Sequence, residues 1–299
     1  MPSVQKTYML PLLTTMITLM TLWGEMPRLL GQQMHAPLVK VAEQDYTNDP
    51  TWKLARQEVD RSPADIQAQH QAEQAHGVRY NKLIHGSRRK KWIALTFDDG
   101  PHPTFTPKLL ALLREQHVKA TFFVVGEMAA RYPDLVREEL AEGHSVGNHT
   151  YHHVNLTKIL PRDVATEVQA CGDVLQRITG QRPHLFRPPG GDYDKSVIET
   201  LQSLGYTTVL WTDDPGDYAS PGSSLIVKRT FSRISSGGII LIHDGIEQTF
   251  AVLPQIISTL KKEGYTFVTV DEMLKDQLVT QAKTTANPLV KHNLTRWKN

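Results

Sequence analysis

The stretch Trp92-Ile93-Ala94-Leu95-Thr96-Phe97-Asp98-Asp99-Gly100-Pro101 decides how this chain is read. An apolar run leads into two adjacent carboxylates, set where a strand would end in a turn. Burying one carboxylate beside another is costly unless a cation or a proton compensates, so the pair asks for a partner elsewhere. The best candidate is His149-Thr150-Tyr151-His152-His153, in which His149 and His153 stand four apart and share one face if the stretch is helical. Two imidazoles and one carboxylate make a three-ligand site with an open position for water, the catalytic rather than the structural zinc pattern. This points to a metal-dependent hydrolase. Asp-Asp-Gly alone is a common turn and a lone His-x-x-x-His is weak, so the weight rests on the order and company of further signals.

Outward from this stretch, strands alternate with amphipathic helices. The pattern predicts strands over 92–97, 120–125, 145–149, 185–188, 207–212, 238–243 and 266–270, and helices over 106–116, 127–142, 161–179, 195–204, 223–235 and 251–263. Several of these helices are closed by glycine, at Gly143, Gly180, Gly205 and Gly264. Seven strand units in βα alternation imply an α/β fold, a distorted (β/α)7-type barrel of parallel strands with outer helices. Catalytic groups of such barrels gather at the carboxyl ends of the strands. Asp98 and Asp99 follow the first strand, His149 and His153 the third, Arg187 the fourth, Asp214 and Asp217 the fifth, and His243 the sixth.

With 299 residues the chain can build one barrel-sized core, and a net charge of +2 gives no argument for nucleic acid. The basic run 88–91 reads as a solvated lead-in to the first strand. Cys171 is the only cysteine, which excludes an intrachain disulfide and a thiolate cluster, and a small buried apolar role is expected for it. His102, His144 and His184 are expected in loops or on the surface. Residues 1–24, with Lys6 ahead of an apolar run from Tyr8 to Trp23, read as a signal peptide or signal anchor, hence an exported protein with a membrane tether as one option. Residues 25–87 read as a polar, partly helical or disordered spacer, with a helix starting at Ser62-Pro63-Ala64-Asp65 and stopping at Gly77. The working domain spans 88–276, and 277–299 is expected to be a loosely held tail.

Five stretches, Thr96-Phe97-Asp98-Asp99-Gly100, His149-Thr150-Tyr151-His152-His153, Arg187-Pro188-Pro189-Gly190-Gly191, Asp214-Pro215-Gly216-Asp217-Tyr218 and Leu241-Ile242-His243, together resemble the polysaccharide deacetylase family. This family is also called the NodB-homology domain or carbohydrate esterase family 4. The similarity extends over about Lys91 to Lys275, and the ordered set is specific although each member alone is not. The resemblance implies that Asp99, His149 and His153 hold a divalent metal, with Zn²⁺ expected and Co²⁺ or Ni²⁺ as alternatives. It also implies that Asp98 is the general base paired with Arg187, and that His243, helped by Asp217, protonates the leaving nitrogen. Leu241 would line the pocket for the acetyl methyl group.

Two departures from the usual pattern bear on substrate. Gly190 stands where the third motif commonly has an aromatic, and Tyr218 where the fourth frequently has tryptophan. Glycine can still offer a backbone N–H to an oxyanion, without an aromatic wall for sugar stacking, while tyrosine makes the cleft wall smaller and more polar. The expected substrate is an N-acetylglucosamine polymer, with exported peptidoglycan favoured. Chitooligosaccharides, acetylated xylan and a non-catalytic wall-binding role are the alternatives.

Overall fold

The computed structural model describes residues 54–56 and 59–284; the expected export segment and residues 285–299 lie outside them. Among the described residues the strands are β1 (Lys82–Leu83), β2 (Trp92–Asp98), β3 (Thr121–Val124), β4 (Ser145–Asn148), β5 (Leu185–Phe186), β6 (Thr207–Val209), β7 (Gly238–His243) and β8 (Thr266–Phe267). All their pairings are parallel, in the order β1-β6-β5-β4-β3-β2-β7, with β8 on the first residues of β2. The central strands β2 and β7 are apolar almost without interruption and buried throughout β7, as strands covered on both faces must be. A single bridge from Asp213 to Ile240, with Thr212 N–H donating to Ile239 O at 3.0 Å and Leu241 N–H to Asp213 O at 2.8 Å, brings the chain beyond β6 against β7. The sheet is therefore a barrel closed through a narrow seam, and the (β/α)7-type reading holds.

The helices are α1 (Pro63–Ala75), α2 (Phe105–Glu115), α3 (Gly126–Arg131), α4 (Pro133–Ala141), α5 (Pro161–Thr179), α6 (Lys195–Ser203), α7 (Ser223–Arg233), α8 (Glu247–Lys262) and α9 (Val270–Thr284). In α5 the proline stands in the first turn, Gly180 (φ 79°) closes the helix, and Val164, Val168, Cys171 and Leu175 recur along the buried face. Cys171 thus has the small apolar role expected of it. The helix predicted over 127–142 is two, because Pro133 cannot continue a helix and instead starts a new one. The last strand stops at Phe267 rather than 270. Thr269 and Glu272 form a capping box there, with Thr269 N–H to Glu272 Oε2 at 2.8 Å and Glu272 N–H to Thr269 Oγ1 at 3.2 Å, and this starts α9. The expected tail is thereby shortened, since α9 runs to Thr284 and Gln277 Nε2 donates to His85 O at 2.9 Å.

The spacer reading of 25–87 is corrected for residues 59–87. The helix starts after Ser62, whose Oγ accepts Asp65 N–H, and ends before Gly77 as the sequence indicates, yet it is docked. Ile66, its one large buried side chain, is 1% exposed within the core. Polar groups complete the contact: Glu73 pairs with Lys82 and accepts the Tyr193 hydroxyl at 2.9 Å, and β1 adds an edge to β6. Composition hides this because the attachment is one apolar side chain and a set of ion-paired groups. Ile66→Ala is expected to lower the unfolding free energy of the domain by about 2–5 kcal/mol in denaturant titrations, where a free spacer would show no change.

Candidate active site

At the end of β2 the backbone turns at Asp99, whose φ of 73° lies in the left-handed region that aspartate tolerates better than most side chains. The turn sends neighbouring carboxylates to different places: the Asp98 side chain is 4% exposed and the Asp99 side chain 39%. Asp244 fixes the loop by donating its N–H to Asp98 O at 2.9 Å and accepting His102 N–H at 3.3 Å and the Thr106 hydroxyl. Gly100 gives this carboxylate room, since a Cβ there would lie 2.7 Å from Asp244 Oδ2.

His149 and His153 do meet, but through a turn and not a helix. Thr150 (φ 64°) and His153 (φ 55°) bend the chain, held by Thr150 N–H to Asn148 Oδ1 at 2.9 Å and by Gly126 N–H to Thr150 O at 2.9 Å. The ring centroids stand 5.0 Å apart. His152 turns away to Glu167, with Nδ1 to Oε1 at 2.7 Å, which agrees with leaving it out of the ligand set.

The donor set fits a divalent ion. One ligand atom from each of Asp99, His149 and His153 lies within 4.8 Å of the others. Asp99 Oδ1 is buried, 2.9 Å from His153 Nε2 and 3.6 Å from His149 Nε2, yet accepts no well-aligned hydrogen bond, so the three atoms converge on a shared point. His149 Nδ1 lies 2.7 Å from the Arg187 carbonyl, which can only accept; Nδ1 therefore carries the proton and Nε2 offers its lone pair. Burial pushes this imidazole down to about 4, keeping it neutral as a ligand must be.

Asp98 belongs to another unit. Arg187, buried at the end of β5, donates from Nη1 to Asp98 Oδ1 at 2.6 Å and to Thr96 Oγ1 at 2.8 Å, and from Nε to Val209 O at 3.3 Å. Its guanidinium lies over the Phe123 ring at 4.2 Å and the Trp211 ring at 5.5 Å. Asp98 Oδ2 stands 3.6 Å from His149 Nε2, beside the ligand cluster.

The third unit lies at the end of β7. His243 Nδ1 bonds Asp217 Oδ1 at 2.8 Å, and Asp217 Oδ2 accepts the His243 backbone N–H at 2.9 Å and the Thr249 hydroxyl. Burial lowers the imidazole, but the hydrogen bond and charge of Asp217 outweigh it and hold His243 well above the ordinary value. Asp214 shapes the preceding turn by accepting Gly216 N–H at 2.7 Å. Leu241 is fully buried, two residues before His243 on the same face of β7. Tyr218 is 41% exposed with its ring 5.8 Å from His243, and Gly190 is buried with φ 64°.

Sequence reasoning missed several residues here. Thr96 and Thr249 orient Arg187 and Asp217, and nothing distinguishes them in the sequence from other strand and helix threonines. Asp60 lies 3.7 Å from His243 Nε2 although it belongs to the segment read as spacer; burial most of all pushes its carboxyl up to about 7. His144, expected in a loop or on the surface, lies in the loop just ahead of β4 but is buried there, its Nδ1 accepting Ala120 N–H at 3.0 Å.

Comparison with known proteins agrees with this geometry. A family model described as polysaccharide deacetylase matches residues 85–209. A peptidoglycan-N-acetylglucosamine deacetylase of Bacillus cereus is 43% identical over 191 residues, covering 62% of this chain and 89% of that protein. The peptidoglycan-N-acetylglucosamine deacetylase PgdA of Listeria monocytogenes is 37% identical over 64% of this chain, which spans only 41% of that longer protein. The crystal structure of the Bc1960 peptidoglycan N-acetylglucosamine deacetylase in complex with 4-naphthalen-1-yl-N-oxidanyl-benzamide superposes with a TM-score of 0.63 at 33% identity, over 65% of this chain and 92% of that one. On a parallel barrel with a convergent His/His/Asp cluster and relatives of this kind, the chain belongs to the polysaccharide deacetylase family, the metal-dependent hydrolases of carbon–nitrogen bonds.

Proposed function

We propose that this protein removes N-acetyl groups from N-acetylglucosamine in cell-wall peptidoglycan, outside the cytoplasmic membrane, with Zn²⁺ as its metal. The observation that carries the reading is the division of labour at the barrel mouth. One aspartate faces two imidazoles, its neighbour is locked to a buried arginine, and a raised histidine stands nearby. The substrate assignment draws support from the activities named for the relatives, and the location from the apolar run after Lys6 together with the place of peptidoglycan in the cell.

Asp99, His149 and His153 would hold the ion, which when bound would supply Lewis-acid polarisation of the acetyl carbonyl and make a water easier to deprotonate near neutral pH. Arg187 holds Asp98 in place through Oδ1, so Asp98 is aimed to accept the proton of the attacking water. His149, fixed by the Arg187 carbonyl, ties the ligand cluster to the base through one residue. On the other side His243, charged because of Asp217, delivers its proton to the amide nitrogen, which departs poorly without it. The C–N bond breaks, leaving acetate and a glucosamine amine. Tyr218 offers the sugar a partly polar face.

Asp98→Asn is expected to cut acetate release by at least about 10²-fold while metal content, read by elemental analysis, stays near that of the parent. Because the change leaves Arg187 buried without its counter-charge, the variant should also melt earlier. Chelation should abolish activity and Zn²⁺ should restore it; activity indifferent to chelation would remove the metal from the reaction, and acetate released faster from chitooligosaccharides or acetylated xylan than from peptidoglycan would reassign the substrate.

The pH profile tests the acid. His243 acts only when protonated and its pKa is raised, so the alkaline limb of kcat/KM should lie above the ordinary imidazole value of 6.5. Asp217→Asn removes the charge that raises it and leaves the burial that lowers it, so this limb should move to lower pH. A limb that stays in place would remove His243 from the acid role.

A further inference from the structure

Ahead of α1, the described residues 54–56 and 59–62 lie at the mouth of the catalytic cleft, and the deacetylation steps make no use of them. They are tied to the two loops that carry the site. The carbonyl of Ala55, a buried residue, accepts Asn155 N–H at 2.9 Å just beyond the histidine turn. Arg61 donates its backbone N–H to Gly190 O at 3.0 Å and brings Nε to 3.6 Å from Asp192 Oδ1. Asn155 and Asp192 are themselves joined at 2.7 Å, so both attachments rest on one support. Next to Arg61 the side chains part: Val59 points to solvent at 74% exposure, and the Asp60 side chain, 7% exposed, enters the cleft with Oδ2 3.7 Å from His243 Nε2.

That distance conflicts with catalysis. His243 Nδ1 is engaged by Asp217, so Nε2 is the atom that delivers the proton, and a leaving nitrogen must come within about 3.2 Å of it. An oxygen already 3.7 Å away fills much of that volume. Asp60 also presents the functional group of acetate, a carboxylate, beside a cationic imidazole.

We propose that Asp60 is a built-in occupant of the acetamide subsite: at rest its carboxylate stands where the amide of the substrate or the carboxylate of released acetate must go, and either ligand displaces it. The inference rests on the deacetylase reading for the identity of the subsite. Displacement is cheap because Asp60 is a poor tenant. Next to His243 it has Asp214, Asp98 and Asp99 as like-charged neighbours, and it is largely withdrawn from water. The occupant weakens small ligands most. A polymer brings contacts along the whole cleft to offset the displacement, whereas acetate brings only one group.

The test uses the full-length Zn²⁺-loaded protein and its Asp60→Ala and Asp60→Asn variants. Acetate binding is measured by calorimetric titration, and kcat and KM with a tetramer of N-acetylglucosamine. If the carboxylate fills the subsite nine-tenths of the time, both variants should bind acetate about 10-fold more tightly and show a similar fall in KM. Asp60→Asn keeps the shape of the side chain, so a folding defect in the alanine variant does not remove the test. Acetate affinity unchanged in the asparagine variant overturns the proposal. Weaker acetate binding overturns it too, by making Asp60 a group that serves the ligand. Absence of turnover in the parent protein would instead strike the deacetylase reading, while the titration still decides whether Asp60 competes with a carboxylate.

Discussion

The ion pair between Arg187 and Asp98 is the constraint on which the rest of the site depends. Arg187 leaves β5 and Asp98 ends β2, strands separated in the sheet by β3 and β4, so the pair spans the interior of the barrel. Removing either charge from such a buried pair typically costs about 3–5 kcal/mol, because the survivor is left without compensation. The same arginine receives support from Thr96, Val209 and two aromatic rings, and its own carbonyl sets the tautomer of His149. One residue therefore holds the Asp98 carboxylate, orients the His149 ring and packs against two aromatic rings.

The two buried imidazoles His149 and His243 are pushed in opposite senses by their surroundings. His149, walled in and bonded to a carbonyl, is driven down and stays neutral as a lone-pair donor. His243, equally buried, is driven up because a carboxylate faces its Nδ1 where His149 has a carbonyl. The difference between two imidazoles on one barrel comes down to whether the second-nitrogen partner carries charge, and that partner is Asp217.

The sheet was legible because β2 and β7 are long apolar runs ending in chemically unusual residues, and the helices because glycines and prolines mark their ends. The meeting of His149 and His153 was legible from spacing, and the choice of Asp99 beside them only from the resemblance, but the geometry was not: imidazoles four positions apart suit a helix as well as a turn, and only the hydrogen bonds of Thr150 choose. Glu127 to Glu142 read as one helix because the apolar period survives Pro133. α9 escaped notice although Thr269-Val270-Asp271-Glu272 spells a capping box, since the strand preceding it was extended over its first residue. The docking of α1 was hidden for a different reason. Its affinity for the barrel lies in Ile66 and in paired charges, which look like solvated surface until their partners 9 and 120 residues away are known.

The two departures from the family pattern acquire a common sense in the cleft. An aromatic at position 190 would add a wall beside the mouth; with Gly190 the loop exposes a backbone carbonyl, and the Arg61 N–H takes it. Tyr218, in place of a larger ring, stands with its ring 5.8 Å from that of His243, where Asp60 also sits. The side of the cleft that loses aromatic surface is thus the side at which Asp60 and Arg61 are laid. A wall made of a chain segment differs from one made of a ring in a single physical respect: it is held by a few hydrogen bonds and ion pairs, each worth about 0.5–1.5 kcal/mol net, and can be exchanged for ligand contacts of the same kind. A rigid aromatic wall cannot be traded in that way, so the identity of residue 190 bears on whether the cleft is fixed or must be opened.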